Sequence, residues 1–148
     1  MHLEIKNFKC IDHFQCTFSV GSLNLIKGCS GLGKSTILNA IRYALTGKPN
    51  RFKPFSRPKC KTSVILKFEG NVIRREANPN RLTLNTGVAE IDEIEAQSAI
   101  DKIFGTYFND VCTIDQDTGS TFACIGPTAK LAFLEKVSMG EYCQQIKT

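Results

Sequence analysis

The stretch that decides the fold is GCSGLGKSTILNAIRYALTG, Gly28–Gly47. Its first eight residues, Gly28 to Ser35, fit G-x-x-x-x-G-K-[ST], and the context around them is the one that motif requires. The preceding SLNLIKG, 22–28, is a short apolar run ending in glycine, which predicts a buried strand feeding a tight turn. From Lys34 the period changes: Ile37, Leu38, Ile41, Ala44 and Leu45 share one helix face, and Gly47 and Pro49 stop that helix. Strand, glycine loop and helix in this order make a phosphate cradle. Glycines at 28, 31 and 33 let successive backbone N–H groups converge on phosphate oxygens, and the helix N-terminus adds a favourable dipole. Lys34 reaches β- and γ-phosphates, Ser35 is a Mg²⁺ ligand, and Thr36 is placed for the α-phosphate. A nucleotide with Mg²⁺ is therefore expected, the cradle itself leaving ATP and GTP both open.

Outward from the cradle, the chain reads as alternating short elements. Strands are predicted at 2–8 and 14–19, then at 62–70, 71–77 and 81–87, with Gly70-Asn71 and Asn78-Pro79-Asn80 as turns of an antiparallel meander. Asp92 is placed to cap a helix through Phe104 that buries Ile94, Ile100 and Ile103. FNDVCTIDQ, 108–116, reads as a strand, and Pro127 opens a last helix carrying Leu131, Phe133, Leu134 and Val137. The fold class is α/β with an α+β tendency: a mixed sheet, an antiparallel meander and the cradle helix, in one domain of 148 residues.

Composition narrows the setting. No apolar run approaches the ~20 residues that span a bilayer, and the N-terminus lacks a signal-peptide core, so an intracellular protein, cytoplasmic or nuclear, is expected. The seven cysteines form no CxxC pair and no zinc spacing, and read as reduced thiols. Net charge is +5, and KPNRFKPFSRPKCK, 48–61, holds six basic residues and no acid. That run is either a solvated loop or a contact surface for a nucleic-acid backbone.

A cradle needs a catalytic partner. Asp115, at the end of VCTID, is the single candidate for a carboxylate after an apolar strand, and Thr113 interrupts that strand. There is no Asn-Lys-x-Asp motif for guanine, and 118–148 holds no arginine for a kinase lid. These absences weigh against a compact self-sufficient kinase or hydrolase using Asp115, which stays as the alternative.

The segment MHLEIKNFKCIDHFQCTFSVGSLNLIKGCSGLGKSTILNAIRYALTGK resembles the N-terminal half-head of ATPases of the structural-maintenance-of-chromosomes type, including double-strand-break-repair ATPases and their SbcC relatives. The shared features are ordered: a first strand into Asn7-Phe8-Lys9, then N-L-I-x-G, the cradle, and I-L-N-A-I-R-Y-A-L-x-G. Downstream, TIDQD at 113–117 is similar to the family's Q-loop, and GPTAKLAFLEKVSMGEY at 126–142 resembles the helix before its long coiled coil. The resemblance implies an ABC-type ATPase head lobe in which Gly28, Ser30, Gly31, Gly33, Lys34, Ser35 and Thr36 bind phosphates and metal. It also implies that Gln116 completes the metal shell and senses the γ-phosphate, and that Lys9 lies near the nucleotide. Ser30 stands where the family usually has Asn, and Cys10 where it often has Ser.

The family's signature helix, its Asp-Glu strand end and its switch histidine have no counterpart in the chain; His2 and His13 both precede the cradle. The resemblance thus implies an N-terminal lobe whose coiled coil and C-terminal lobe are absent, inactive or very weak alone. Its implied partners are the C-terminal lobe, a second head, DNA through the loop 48–61, and a nuclease subunit.

Overall fold

The computed structural model describes residues 1–47, 60–105, 108, 112–113 and 126–139. The chain divides into two compact units, Met1–Gly105 and Thr106–Thr148. The first is built on six strands: β1 (His2–Phe8), β2 (Ile11–Thr17), β3 (Thr62–Phe68), β4 (Asn71–Ala77), β5 (Arg81–Asn85) and β6 (Glu90–Asp92). Their order across the sheet is β2-β1-β3-β4-β5-β6, and every pairing is antiparallel.

The register sorts the side chains into two faces. One row runs Cys16–Leu3–Leu66–Ile73–Leu84–Ile91, and the next runs Phe14–Ile5–Val64–Arg75–Leu82. Except at Arg75 these positions are apolar or thiol-bearing, so this face buries itself. The opposite face carries Glu4, Lys6, His13, Lys67, Arg74, Glu76 and Arg81, as a half-solvated antiparallel sheet should. Lys6 pairs with Glu4 at 2.7 Å, and Lys61 pairs with Glu76 at 3.0 Å.

Two helices cover the apolar face. The cradle helix α1 (Lys34–Thr46) lies on β1, β3 and β4, and α2 (Glu93–Phe104) lies on β5 and β6 and touches α1. Ile37, Ala40, Tyr43, Ala44 and Leu45 of α1 and Ala96 and Ile100 of α2 are buried there with Leu3, Ile5, Phe8, Val64 and Leu66. Each such branched aliphatic side chain stabilises the fold by roughly 1.5–3 kcal/mol. Phe8 stacks on Tyr43 with ring centroids 5.5 Å apart, and Phe68 meets Phe104 edge-on at 4.9 Å. In the second unit α3 (Pro127–Met139) is the described element, with Leu131 and Leu134 half-exposed or more.

Several expectations change. The strand predicted at 22–28 does not form: residues 23–28 make no backbone ladder, and Leu23 and Leu25 are 97% and 72% exposed. A strand needs a neighbour to satisfy its N–H and C=O groups, and among the described residues none lies alongside. For the same reason the described sheet is wholly antiparallel rather than mixed, because a strand entering the cradle is the one that parallel pairing would have used. The second strand starts at Ile11 rather than 14, since the β1–β2 turn is as tight as Lys9-Cys10 allows, with Lys9 at φ 52°. On α1, Leu38 is 54% exposed although it follows the buried Ile37. On α2, Ile100 is buried, but Ile94 and Ile103 are 83% and 51% exposed: they sit nine residues apart, half a turn out of phase, and cannot share one face. Asp92 occupies the N-cap position without bonding the helix; its carboxylate faces Arg81 at 4.0 Å, while Glu93 turns back to accept the Leu82 N–H at 3.2 Å. Most of the predicted 108–116 strand, most of the 48–61 loop, Asp115 and Gln116 lie outside the described residues; the described Phe108, Cys112 and Thr113 are not in a strand, and the Cys112 N–H donates to the Phe108 carbonyl at 2.9 Å.

Candidate functional site: a phosphate cradle at the start of α1

The cradle follows directly from its glycines. Gly31 and Gly33 hold φ of 84° and 86°, the left-handed region in which an L side chain costs roughly 1–2 kcal/mol. Gly33 is the N-cap of α1, its carbonyl accepts the Ile37 N–H at 3.1 Å, and no side chain caps the helix. The first turn holds no acidic residue. A 13-residue helix therefore presents its N-terminal N–H groups and the positive end of its dipole uncapped, which is the electrostatic condition for a bound anion.

Side chains complete the cup. Lys34 folds back over the loop and donates to the Cys29 carbonyl at 2.8 Å, so the ammonium already sits at the loop's mouth. Ser35 is exposed, and Ser30 and Gly31 are exposed beside it. Thr36 is buried, 8% exposed, and its hydroxyl meets the Cys10 thiol at 3.4 Å. The β1–β2 turn thus lies on the cradle. A Cβ on Gly33 would stand 3.1 Å from Cys10 Sγ and 3.5 Å from Ile11 Cγ1. Lys9, adjacent to Cys10 in that turn, is brought to the same end of α1, where it has a partner of its own.

The set fits a nucleotide with its metal. Backbone N–H groups and Lys34 suit the phosphates, and the Ser35 hydroxyl suits a metal that takes most of its other ligands from water and phosphate. Among the described residues no three His, Cys, Asp or Glu side chains cluster as metal ligands. The sequence-predicted residues Gly28, Ser30, Gly31, Gly33, Lys34, Ser35 and Thr36 thus meet in one loop and helix start, while Gln116 lies outside the described residues. No described helix is long and apolar enough to cross a membrane.

A second feature adjoins the cup. Phe14 and Phe18 of the sheet edge, Leu25, Leu32, Lys34 and Ile37 line an open groove of about 530 Å³ beside the unpaired segment.

Sequence reasoning missed the far end of α1. Arg75, from the apolar face of β4, donates its Nε–H to the Ala44 carbonyl at 3.0 Å and lies 5.9 Å from the Tyr43 ring centroid. Its second amino group bonds the Gln97 side-chain oxygen, and Gln97 in turn donates to the Leu45 carbonyl at 2.9 Å and to Asp101 at 2.8 Å. Burial pushes the Arg75 guanidinium below its ordinary pKa, opposed by Tyr43, Glu93 and Asp101. Burial likewise raises the Tyr43 phenol, opposed by Arg75. The signal available was the alternation in NVIRREA, which sets Arg75 in phase with Ile73 rather than with Arg74.

The Uncharacterized protein 094L of Invertebrate iridescent virus 3 is 33% identical over 142 residues, covering 96% of this chain and 16% of that protein. The Uncharacterized protein 050L of Invertebrate iridescent virus 6 is 30% identical over 149 residues, covering 99% of this chain and 13% of that protein. The chain spans a sixth or less of the length of these curated relatives. The AAA domain family matches residues 2–124, a range that takes in the cradle, the six-stranded sheet and both of its helices. This chain belongs to the AAA domain family of P-loop ATPases.

Proposed function

We propose that this chain is the ATP-binding half of a two-lobed ATPase head of the chromosome-organising or double-strand-break-repair type. In this reading ATP joins two heads, and hydrolysis needs a C-terminal lobe supplied from elsewhere. The observation that carries it is the unpaired segment 22–28, whose exposed leucines and open backbone lead straight into the cradle. A strand so apolar is stable only when something pairs with it, and the apolar groove beside it is where the packing is incomplete. Relatives six or more times longer supply room for the rest of such a head.

On this reading the chain's own residues bind and orient. Gly31 and Gly33 shape the loop, Lys34 gives up its Cys29 carbonyl for the β- and γ-oxygens, and Ser35 holds Mg²⁺. Gln116 positions water, and the basic loop 48–61 faces a DNA backbone without reading bases. A second head and a nuclease subunit complete the assembly.

The test is ATP turnover by the chain with and without an added C-terminal lobe, beside a Mg·ATP titration. Binding without turnover, rescued by the second lobe, is expected. Robust turnover by the chain alone, abolished in Asp115→Asn, would replace this reading with a compact kinase or hydrolase. Replacing Lys53, Arg57, Lys59 and Lys61 by glutamine should weaken DNA binding and flatten its salt dependence; unchanged affinity would leave the loop merely solvated.

A further inference from the structure

Arg75 is the one charged residue in the two apolar rows of the sheet, and among the described residues no carboxylate lies within salt-bridge distance of it. Even a partly buried cation on an apolar face is costly, and an apolar side chain in its place is often as stable or more so. Its surroundings show what it does instead. The last turn of α1 has no basic residue of its own, and its terminal carbonyls need donors. Arg75 serves Ala44, Gln97 serves Leu45, and the Gly47 N–H serves Tyr43 at 2.9 Å. Gly47 fits because it is glycine: a Cβ there would stand 2.7 Å from Arg75 Nη1. The guanidinium is thus a C-terminal cation delivered to α1 from the sheet, with α2 as the second arm of the clamp.

The opposite end of α1 is the cradle, which no side chain caps and which rests on the β1–β2 turn through the Cys10–Thr36 contact at 3.4 Å. A helix of 13 residues is about 20 Å long, so a tilt of about 5° about the clamped end moves the cradle N–H groups by about 1.7 Å. Displacements of that size decide whether preorganised donors meet a ligand. We propose that Arg75, together with Gln97, is a positioning residue for triphosphate binding, setting from the far end of α1 the direction in which the cradle points. This inference rests on the cradle being the nucleotide site.

The test is calorimetric titration of Mg·ATP into the unaltered chain, Lys34→Ala, Arg75→Met, Arg75→Lys and Gln97→Met, each held well below its own Tm and shown folded by circular dichroism. Arg75→Met should bind at least tenfold more weakly, Gln97→Met several-fold more weakly, and Arg75→Lys should recover part of the loss by keeping a cation at the helix end. Should Arg75→Met not fold, Gln97→Met carries the same readout. Folded clamp variants that bind Mg·ATP as the unaltered chain does, whatever their Tm, would overturn the inference and leave the clamp a purely structural feature. Failure of the unaltered chain to bind, with Lys34→Ala no different, would instead overturn the cradle reading, and this inference with it.

Discussion

Replacing Gly33 by alanine perturbs the backbone and the packing of the cradle together, and the structure separates the two contributions. The φ of 86° puts a side chain in the left-handed region, at a cost of roughly 1–2 kcal/mol. The new methyl also stands 3.1 Å from Cys10 Sγ. That overpacking adds about 1 kcal/mol or more, because Cys10 is itself held between Gly33 and Thr36. The sum, about 3 kcal/mol, lowers Tm by about 12 °C at roughly 4 °C per kcal/mol for a unit of this size. Cys10→Ala removes the sulfur. In the double variant the steric part, about 1 kcal/mol, should return while the backbone part remains. The assay is thermal unfolding of the four proteins in the cycle, followed by a Mg·ATP titration at a temperature where all are folded. Gly33→Ala should also weaken ATP binding, since the N–H groups it disturbs are those at the start of α1. A Tm for Gly33→Ala equal to that of the unaltered chain would refute the left-handed geometry. Complete recovery in the double variant would show that packing alone, and not φ, required the glycine.

The exposed leucines give a second prediction: Leu23→Glu with Leu25→Glu should change stability by less than about 0.5 kcal/mol and block rescue by an added C-terminal lobe. On α2, Ile100→Ala should cost about 2–4 kcal/mol in denaturant unfolding while Ile94→Gln costs less than about 0.5, because only the first is buried. At the sheet's polar face, the Lys6 ammonium bonded to Glu4 holds that carboxyl below its ordinary value of 4.5, with burial opposing. A depressed carboxyl stabilises the fold above its unfolded pKa and loses that contribution as pH falls through the folded value. Glu4→Gln should therefore cost a fraction of about 1 kcal/mol near pH 7 and nothing near pH 2, measured by denaturant titration at both.

How much of this was legible in advance depended on the range of the signal. The loop and the helix after it were local: the glycines, lysine and serine are contiguous, and the structure places them at the start of α1. The meander was legible for the same reason, since each hairpin carries its own turn residues. What failed depended on neighbours. The apolar alternation of SLNLIKG is a genuine strand pattern, yet it specifies only willingness to pair and says nothing of who supplies the other edge. Ile94 and Ile103 were assigned to a buried face by residue type, when a 3.6-residue period puts them on opposite sides of the helix carrying Ile100. Arg75 was invisible because an arginine in a strand reads as solvated until the register shows it facing the core.

The position of β1 inside the sheet carries a consequence for how this chain comes off the ribosome. Its partner β2 follows within a few residues, but its other partner, β3, pairs Leu3 with Leu66 and Ile5 with Val64. The first hairpin is therefore complete early and must then wait, with one edge of β1 open, for about 50 further residues that include the whole of α1. At about 5–20 residues per second that wait lasts about 2.5–10 s. Every other described ladder is closed by a neighbour in sequence, so the β1–β3 pairing is the longest-range zipping in the described sheet. Until it closes, the nascent chain displays Leu3 and Ile5 along a bare strand edge. That interval is when a holdase would have most to protect.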